Sequence, residues 1–291
     1  MKIKTLKVNA FTGKLNGGNP AGIVLDSPKL ADQQMTCISK ELNVSETAFV
    51  FPSDKADYKV RFFTPKIEVD LCGHATIATF FTMALKGMLS PKKNDVVTQE
   101  TKVGILPVNI YYADDKKIDR VMMTQSRPIY KNIHLDISMI ADSLKVDVKD
   151  IDDSLPKQIV STGLFTLPIC IKSYDDLKNI KPDFEKVKKI CDKMGAGSFH
   201  VFTFETIEPA SIYHARNFAP VYGVNEDPVT GTANGAVSSY LIKHKIIKNK
   251  NLICEQGDII GRPGRVFVEI GKDVIKVGGK ARIAEEREIE V

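Results

Sequence analysis

The sequence predicts an α+β protein made of two similar domains, each organised around one buried helix. Three observations predict it. Asp70-Leu71-Cys72-Gly73-His74-Ala75-Thr76 runs into Ile77–Leu85, which is apolar almost all round, so it reads as a helix buried on most sides. A related stretch, Glu226-Asp227-Pro228-Val229-Thr230-Gly231-Thr232-Ala233-Asn234-Gly235-Ala236, runs into a second helical segment, Val237–Ile242. Most of the remaining chain alternates apolar and polar residues with period two, the pattern of half-buried strands.

Setting Gly73 on Gly231 places Cys72 opposite Thr230, His74 opposite Thr232 and Glu68 opposite Glu226. Phe63-Thr64-Pro65 then answers Phe218-Ala219-Pro220. Short matches arise by chance, so the pairing stands as a hypothesis of internal repetition. It would mean two like domains, each aiming a central helix at a shared cleft. A helix that opens with Gly-His presents free backbone N–H groups and the positive dipole end, a ready site for an anion.

In chain order, Leu6, Val8 and Ala10 mark a first strand. Gly17-Gly18-Asn19-Pro20-Ala21-Gly22 reads as a tight loop before a short strand, Ile23–Leu25; it lacks a P-loop lysine and dinucleotide spacing. A helix beginning within residues 26–30 carries Met35, Ile38 and Leu42 on one face. Ser45-Glu46-Thr47 leads into the strand Ala48–Phe51, and Tyr58, Val60 and Phe62 mark the strand before the first central helix. Strands follow at 95–100, 103–112 and 118–125. After Ser126-Arg127-Pro128 the chain starts again, with helices at Ile137–Leu144 and Phe184–Met194 and strands at 158–161, 167–171, 200–204 and 211–217. Beyond the second central helix come strands at 252–255, 265–270, 274–277 and 281–284.

Of 291 residues, 43% are hydrophobic and 26% charged, an ordinary globular composition long enough for two cores. A net charge of +5 from scattered lysines, including the pair Lys92-Lys93, reads as solvated faces and not as a nucleic-acid surface. The five cysteines (Cys37, Cys72, Cys170, Cys191, Cys254) stand far apart, so neither a zinc site nor a disulfide framework is indicated. The histidines lack metal spacing as well. No apolar run reaches ~20 residues and the N-terminus enters a strand, so the expectation is a reduced cytoplasmic protein with no membrane span.

Five motifs occur in order: Gly18-Asn19-Pro20-Ala21-Gly22, Ser45-Glu46-Thr47-Ala48-Phe49, Phe63-Thr64-Pro65, Asp70–Thr76 and Glu226–Ala233. Together they resemble the phenazine-biosynthesis isomerase-like (PhzF-like) family over essentially the whole chain. The resemblance implies a diaminopimelate-epimerase-like fold, in which each domain wraps a barrel-like, mostly antiparallel sheet round its helix. Residues 1–126 with 280–291 would form the first domain and 127–279 the second, with the site in the cleft between them. It also implies a cofactor-free isomerase, usually a homodimer, acting on a small carboxylate; the residue spacing and charge pattern add the expectation of no metal and no nucleic-acid or membrane partner.

The resemblance places the catalytic glutamate on Glu46, the histidine on His74 and the aspartate on Asp227, with Asn19, Gly73, Gly231 and Thr232 as substrate-binding positions. Thr232 stands where the family has serine, which keeps the hydroxyl and adds a methyl. The implied reaction is proton transfer between carbons of a small cyclic or amino carboxylic acid, with Glu46 as base and then acid. The plain reading of Glu46 is a solvated loop carboxylate; of His74, a helix N-cap; of Asp227, a turn or cap residue. A two-base epimerase of the same fold would use one cysteine from each half. Here Cys72 is matched by Thr230, so Cys72 is expected to be packing. A ligand-binding protein without turnover is the third reading.

Overall fold

The structure is a computed structural model that describes all residues except 28, 90–94 and 135. The Lys92-Lys93 pair therefore lies outside the described residues. The chain divides into two units, Met1–Thr124 with Gly278–Val291, and Gln125–Val277.

The first unit begins with β1 (Lys2–Ala10) and β2 (Asn19–Val24), joined by a turn at Gly18. Gly18 has φ +66°, and a Cβ there would sit 2.0 Å from the Ala10 carbonyl oxygen, so only glycine fits. The predicted glycine loop is therefore shorter than its composition suggested: residues 19–22 pair with β1 as strand, Ala10 facing Asn19 and Lys7 facing Gly22. Helix α1 (Asp32–Leu42) starts later than its sequence reading. The Gln34 side chain accepts a hydrogen bond from the Ala31 backbone N–H at 3.0 Å and fixes the first turn there. Its Met35, Ile38 and Leu42 are buried against Val24, Phe49, Phe63 and Ile289.

β3 (Thr47–Phe51) follows, parallel to β2, and then β4 (Tyr58–Phe63), antiparallel to β3. The short β5 (Glu68–Val69) folds back on β4 and was missed in the sequence, being only two residues long. Helix α2 (Gly73–Leu85) comes next, with residues 75–83 all buried. It packs against β1, β2 and β3, and then against β7 (Gly104–Tyr112), which lies between β6 (Asp95–Thr101) and β8 (Ile118–Gln125) in an antiparallel run.

The second unit repeats this plan. β9 (Ile129–Asn132), α3 (Ile137–Leu144), β10 (Gln158–Ser161) and β11 (Phe165–Cys170) lead to α4 (Tyr174–Asn179) and α5 (Phe184–Met194). β12 (Ser198–Thr203) is parallel to β11, and β13 (Tyr213–Ala219) is antiparallel to β12, as β3 and β4 are in the first unit. β14 (Val224–Asp227) pairs back on β13. The buried α6 (Gly231–Lys243) packs against β10, β11 and β12, and then against β16 (Gly264–Ile270), which pairs antiparallel with β15 (Asn251–Gln256). β17 (Ile275–Gly279) returns the chain to the first unit, where β18 (Ala281–Glu290) pairs antiparallel with β1 along its whole length. β18, ten residues long against the four at 281–284, extends further than its alternation suggested, because the run of charges Glu285-Glu286-Arg287-Glu288 breaks the apolar–polar pattern.

The fold is thus mixed α and β, with few helices and mostly antiparallel strands round one central helix in each unit, as the sequence predicted. Among the described residues no helix is long and apolar enough to cross a membrane.

Candidate active site

The outer helices of the second unit are conventionally closed: Asp136, Ser173 and Asp183 each accept a hydrogen bond from a first-turn N–H of α3, α4 and α5. The two central helices differ. Cys72 and Thr230 hold the N-cap position of α2 and α6 in extended conformation, and neither supplies a side-chain cap. Each helix then opens on glycine, so its first-turn N–H groups and dipole end are left for another acceptor.

Each approach to these helix ends is braced in the same way. In the first unit, Arg61 on β4 grips Glu68 on β5 with two hydrogen bonds of 2.8 and 2.9 Å, and its guanidinium lies 5.1 Å from the centre of the Phe63 ring. In the second, Arg216 on β13 grips Glu226 on β14 with two of 2.8 Å and lies 4.9 Å from the Phe218 ring. Bidentate arginine–carboxylate pairs fix orientation as well as distance. The arginine holds the Glu68 carboxyl down at about 2. Arg216 also donates to the Leu177 and Ile180 carbonyls at 3.1 and 2.9 Å, tying α4 to the brace.

In the first unit this places three chemical groups together. The Glu46 carboxylate, half-buried just before β3, lies 3.4 Å from His74 Nε2. Ser45 Oγ is also 3.4 Å from that nitrogen. Cys72, buried, has its sulfur 3.4 Å from His74 Nδ1. His74 is the second residue of α2, and the cap position belongs to Cys72, so the reading of His74 as an N-cap is corrected. Cys72 is buried, as packing would be, but it also touches the imidazole, a contact its sequence position did not reveal. Glu46 is anchored through its main chain, whose carbonyl accepts from Gly22 N–H at 2.9 Å. Gly22 is obligatory here, since a Cβ would fall 2.5 Å from the Thr47 hydroxyl. Asn19 is buried at the start of β2.

In the second unit Asp227 accepts a hydrogen bond from the Thr230 hydroxyl. A residue that sequence reasoning missed organises this end. Gln256, fully buried on β15, donates to the Asp227 carbonyl at 2.9 Å and to Thr230 Oγ1 at 3.1 Å. Its oxygen accepts from Thr230 N–H at 3.0 Å and from Asn234 at 2.8 Å. Only the polar character of an otherwise strand-like segment could have signalled it. Thr232 follows Gly231; its carbonyl accepts from Thr162 Oγ1 at 3.1 Å, and its methyl would lie 3.3 Å from a Cβ placed on Gly163.

The strand registers extend the repeat beyond the helix ends. Phe63 faces Thr47, and Phe218 faces Phe199. With Phe63 set on Phe218, Glu46 corresponds to Ser198. The first unit therefore carries a carboxylate, a thiol and an imidazole where the second carries three hydroxyls, Ser198, Thr230 and Thr232.

Comparison with known proteins agrees with this architecture. The chain is 36% identical over 281 residues to a Bacillus subtilis protein named an uncharacterized isomerase, YfhB, covering 96% of this chain and 93% of that one. A crystal structure of the Bacillus anthracis phenazine biosynthesis protein of the PhzF family superposes with a TM-score of 0.92 at 35% identity, covering 100% of both chains. A probable proline racemase from Agrobacterium radiobacter K84 shares the fold alone, with a TM-score of 0.64 at 11% identity, covering 99% of this chain and 93% of that one. With the model of the phenazine biosynthesis-like proteins (PhzC-PhzF) matching residues 8–287, the chain belongs to that family.

Proposed function

We propose that this chain is an isomerase that moves a proton between two carbons of a small cyclic or amino carboxylic acid, without a cofactor. The observation that carries the reading is the Glu46 carboxylate 3.4 Å from His74 at the uncapped end of α2. A carboxylate can take a proton from a carbon next to a carbonyl or unsaturated group and return it elsewhere. The charge that develops on the substrate needs donors fixed in advance, and the first-turn N–H groups at Gly73 and Gly231 are such donors. His74 orients Glu46 and can relay its proton. Asp227, Asn19 and Thr232 would hold the substrate's polar groups, with the Thr232 methyl trimming the accepted shape. The family resemblance further implies a homodimer.

A two-base epimerase is the second reading, favoured by the Cys72 sulfur against the His74 ring. It requires a second thiol, and the corresponding position holds Thr230, whose hydroxyl is engaged by Asp227. The deciding experiment is Glu46→Gln on any substrate found. The amide has nearly the same shape, so the fold and ligand binding should persist while turnover falls at least ~10²-fold, the scale of a general acid–base group. Turnover near wild type would remove Glu46 from the chemistry.

A further inference from the structure

The hydrogen bonds at the start of α6 have a fixed direction. Gln256 accepts from the Thr230 N–H at 3.0 Å and donates to the Asp227 carbonyl at 2.9 Å. A backbone N–H only donates and a carbonyl only accepts, so the amide has one orientation. Its second nitrogen proton then goes to Thr230 Oγ1 at 3.1 Å. A hydroxyl carries one proton, and Thr230 turns it to the Asp227 carboxylate. Asn234 holds the amide from the far side. Its nitrogen donates to Gln256 Oε1 at 2.8 Å and to the Thr230 carbonyl at 2.9 Å, while its oxygen faces the Tyr213 hydroxyl at 2.9 Å. Tyr213, Asn234 and Gln256 are fully buried, so water does not compete for these bonds.

The repeat ties this wiring to the carboxylate and not to the fold. With Gly73 on Gly231, Asp227 corresponds to Val69 and Thr230 to Cys72. Tyr58 faces Gln99 as Tyr213 faces Cys254, so Gln256 corresponds to Thr101, whose hydroxyl donates to the Gly104 carbonyl. The Val69 side chain cannot accept a hydrogen bond, and the first central helix is built without the series. The two backbone bonds of Gln256 would by themselves brace the turn; the step through Thr230 to Asp227 adds direction.

We infer that Gln256 is a positioning residue: it commits the Thr230 hydroxyl proton to Asp227, so that Asp227 enters the reaction as a hydrogen-bond acceptor and Thr230 offers the substrate no donor. In the isomerase proposed above, on which this step rests, the migrating proton is then carried by Glu46 and His74. Thr232 is the hydroxyl left to donate at this helix end. The direction of the bonds does not depend on that function.

Carbon NMR of the ligand-free, isotope-labelled full chain tests the direction. In mixed light and heavy water the Asp227 carboxyl carbon should split into separate lines, because a deuteron on Thr230 shifts it across the hydrogen bond. Exposed hydroxyls exchange too fast to do this. Thr230→Val has nearly the same shape and no hydroxyl; it should remove the splitting, and Thr230→Ser should keep it. A carboxylate that loses a donor takes up a proton more readily. The pH at which that carbon titrates should therefore rise by about one unit in Thr230→Val and in Gln256→Leu, and return in Thr230→Ser. A single Asp227 line in the wild type, which needs no variant to fold, overturns the wiring and leaves the Glu46→Gln kinetics untouched. A split line with an unmoved titration in Gln256→Leu overturns the role of Gln256. Both signatures together with wild-type turnover in Glu46→Gln would keep the wiring and overturn the proton path assigned to Glu46.

Discussion

The ends of the two central helices share a backbone plan and differ in chemistry. Both follow an Arg–Glu brace stacked beside a phenylalanine, both have an extended N-cap residue that supplies no cap, and both open on glycine. At the first, a carboxylate, an imidazole and a thiol touch one another. At the second, an aspartate, a threonine and a buried glutamine form a closed hydrogen-bonded set. What the fold requires is therefore the brace and the glycine. The groups set on that frame were free to diverge, and the reactive set collected on one side.

The braces themselves differ in burial, which gives the largest expected effect. The Arg216 and Glu226 side chains are 8% and 16% exposed, and Arg216 also serves two carbonyls. Arg216→Ala should cost about 3–5 kcal/mol in urea unfolding, as breaking a buried pair does. Arg61→Ala should cost less than half of that, because Glu68 keeps Lys102 at 2.8 Å and Arg61 is 23% exposed. Equal losses would show that the two braces are equivalent.

The first unit's buried amide, Gln99 on β6, meets α2 through the Thr76 hydroxyl at 3.4 Å, whereas Gln256 holds four groups at the start of α6, so its removal should be felt at that helix end only. Gln256→Leu leaves the Thr230 N–H, the Asp227 carbonyl and Asn234 short of partners, at a cost of about 2 kcal/mol. Hydrogen exchange should accelerate at the start of α6 and stay unchanged at α2. Faster exchange at both would break the comparison.

The smallest effect is a pH dependence. Hydrogen bonds from Arg61 lower the Glu68 carboxyl from 4.5 to about 2, even though burial pushes it up. A depressed acid stabilises the fold above its unfolded value, and that stability is lost as pH falls from 4.5 towards 2. Glu68→Gln should flatten this acid limb by about 1 kcal/mol between pH 5 and 2.5, measured as urea midpoints. An acid limb identical to wild type would mean the brace carries no net charge energy.

The central helices, their glycines and most strands were legible because apolar periodicity and the Gly-His and Gly-Thr openings are local signals. The repeat was legible at the helix ends and no further, since beyond them the two halves share topology and little sequence. Ser198 answers Glu46 only through strand register, which pairing across β12 and β13 determines. Gln256 was invisible for a related reason: its importance comes from a strand brought beside α6 from outside the motif. The Cys72–His74 contact needed the extended conformation at Cys72 and the first helical turn, neither of which spacing reveals. The start of β2 was mistaken for loop because its glycines serve close packing and not flexibility.

The division of the chain has a consequence for how it is made. The second unit is one continuous stretch, Gln125–Val277, whereas the first is split and needs Gly278–Val291. β1 lies against β2 from the beginning, but its other edge pairs with β18, Lys2 against Glu290. During synthesis the second unit is made before the first is complete, and this edge of β1 stays open until β18 has emerged. An unpaired strand edge is a template for wrong partners, so the growing chain is exposed to misassembly at β1. Lys2 and Lys4, exposed on one face of β1, and Lys7 on the other place like charges beside that waiting edge.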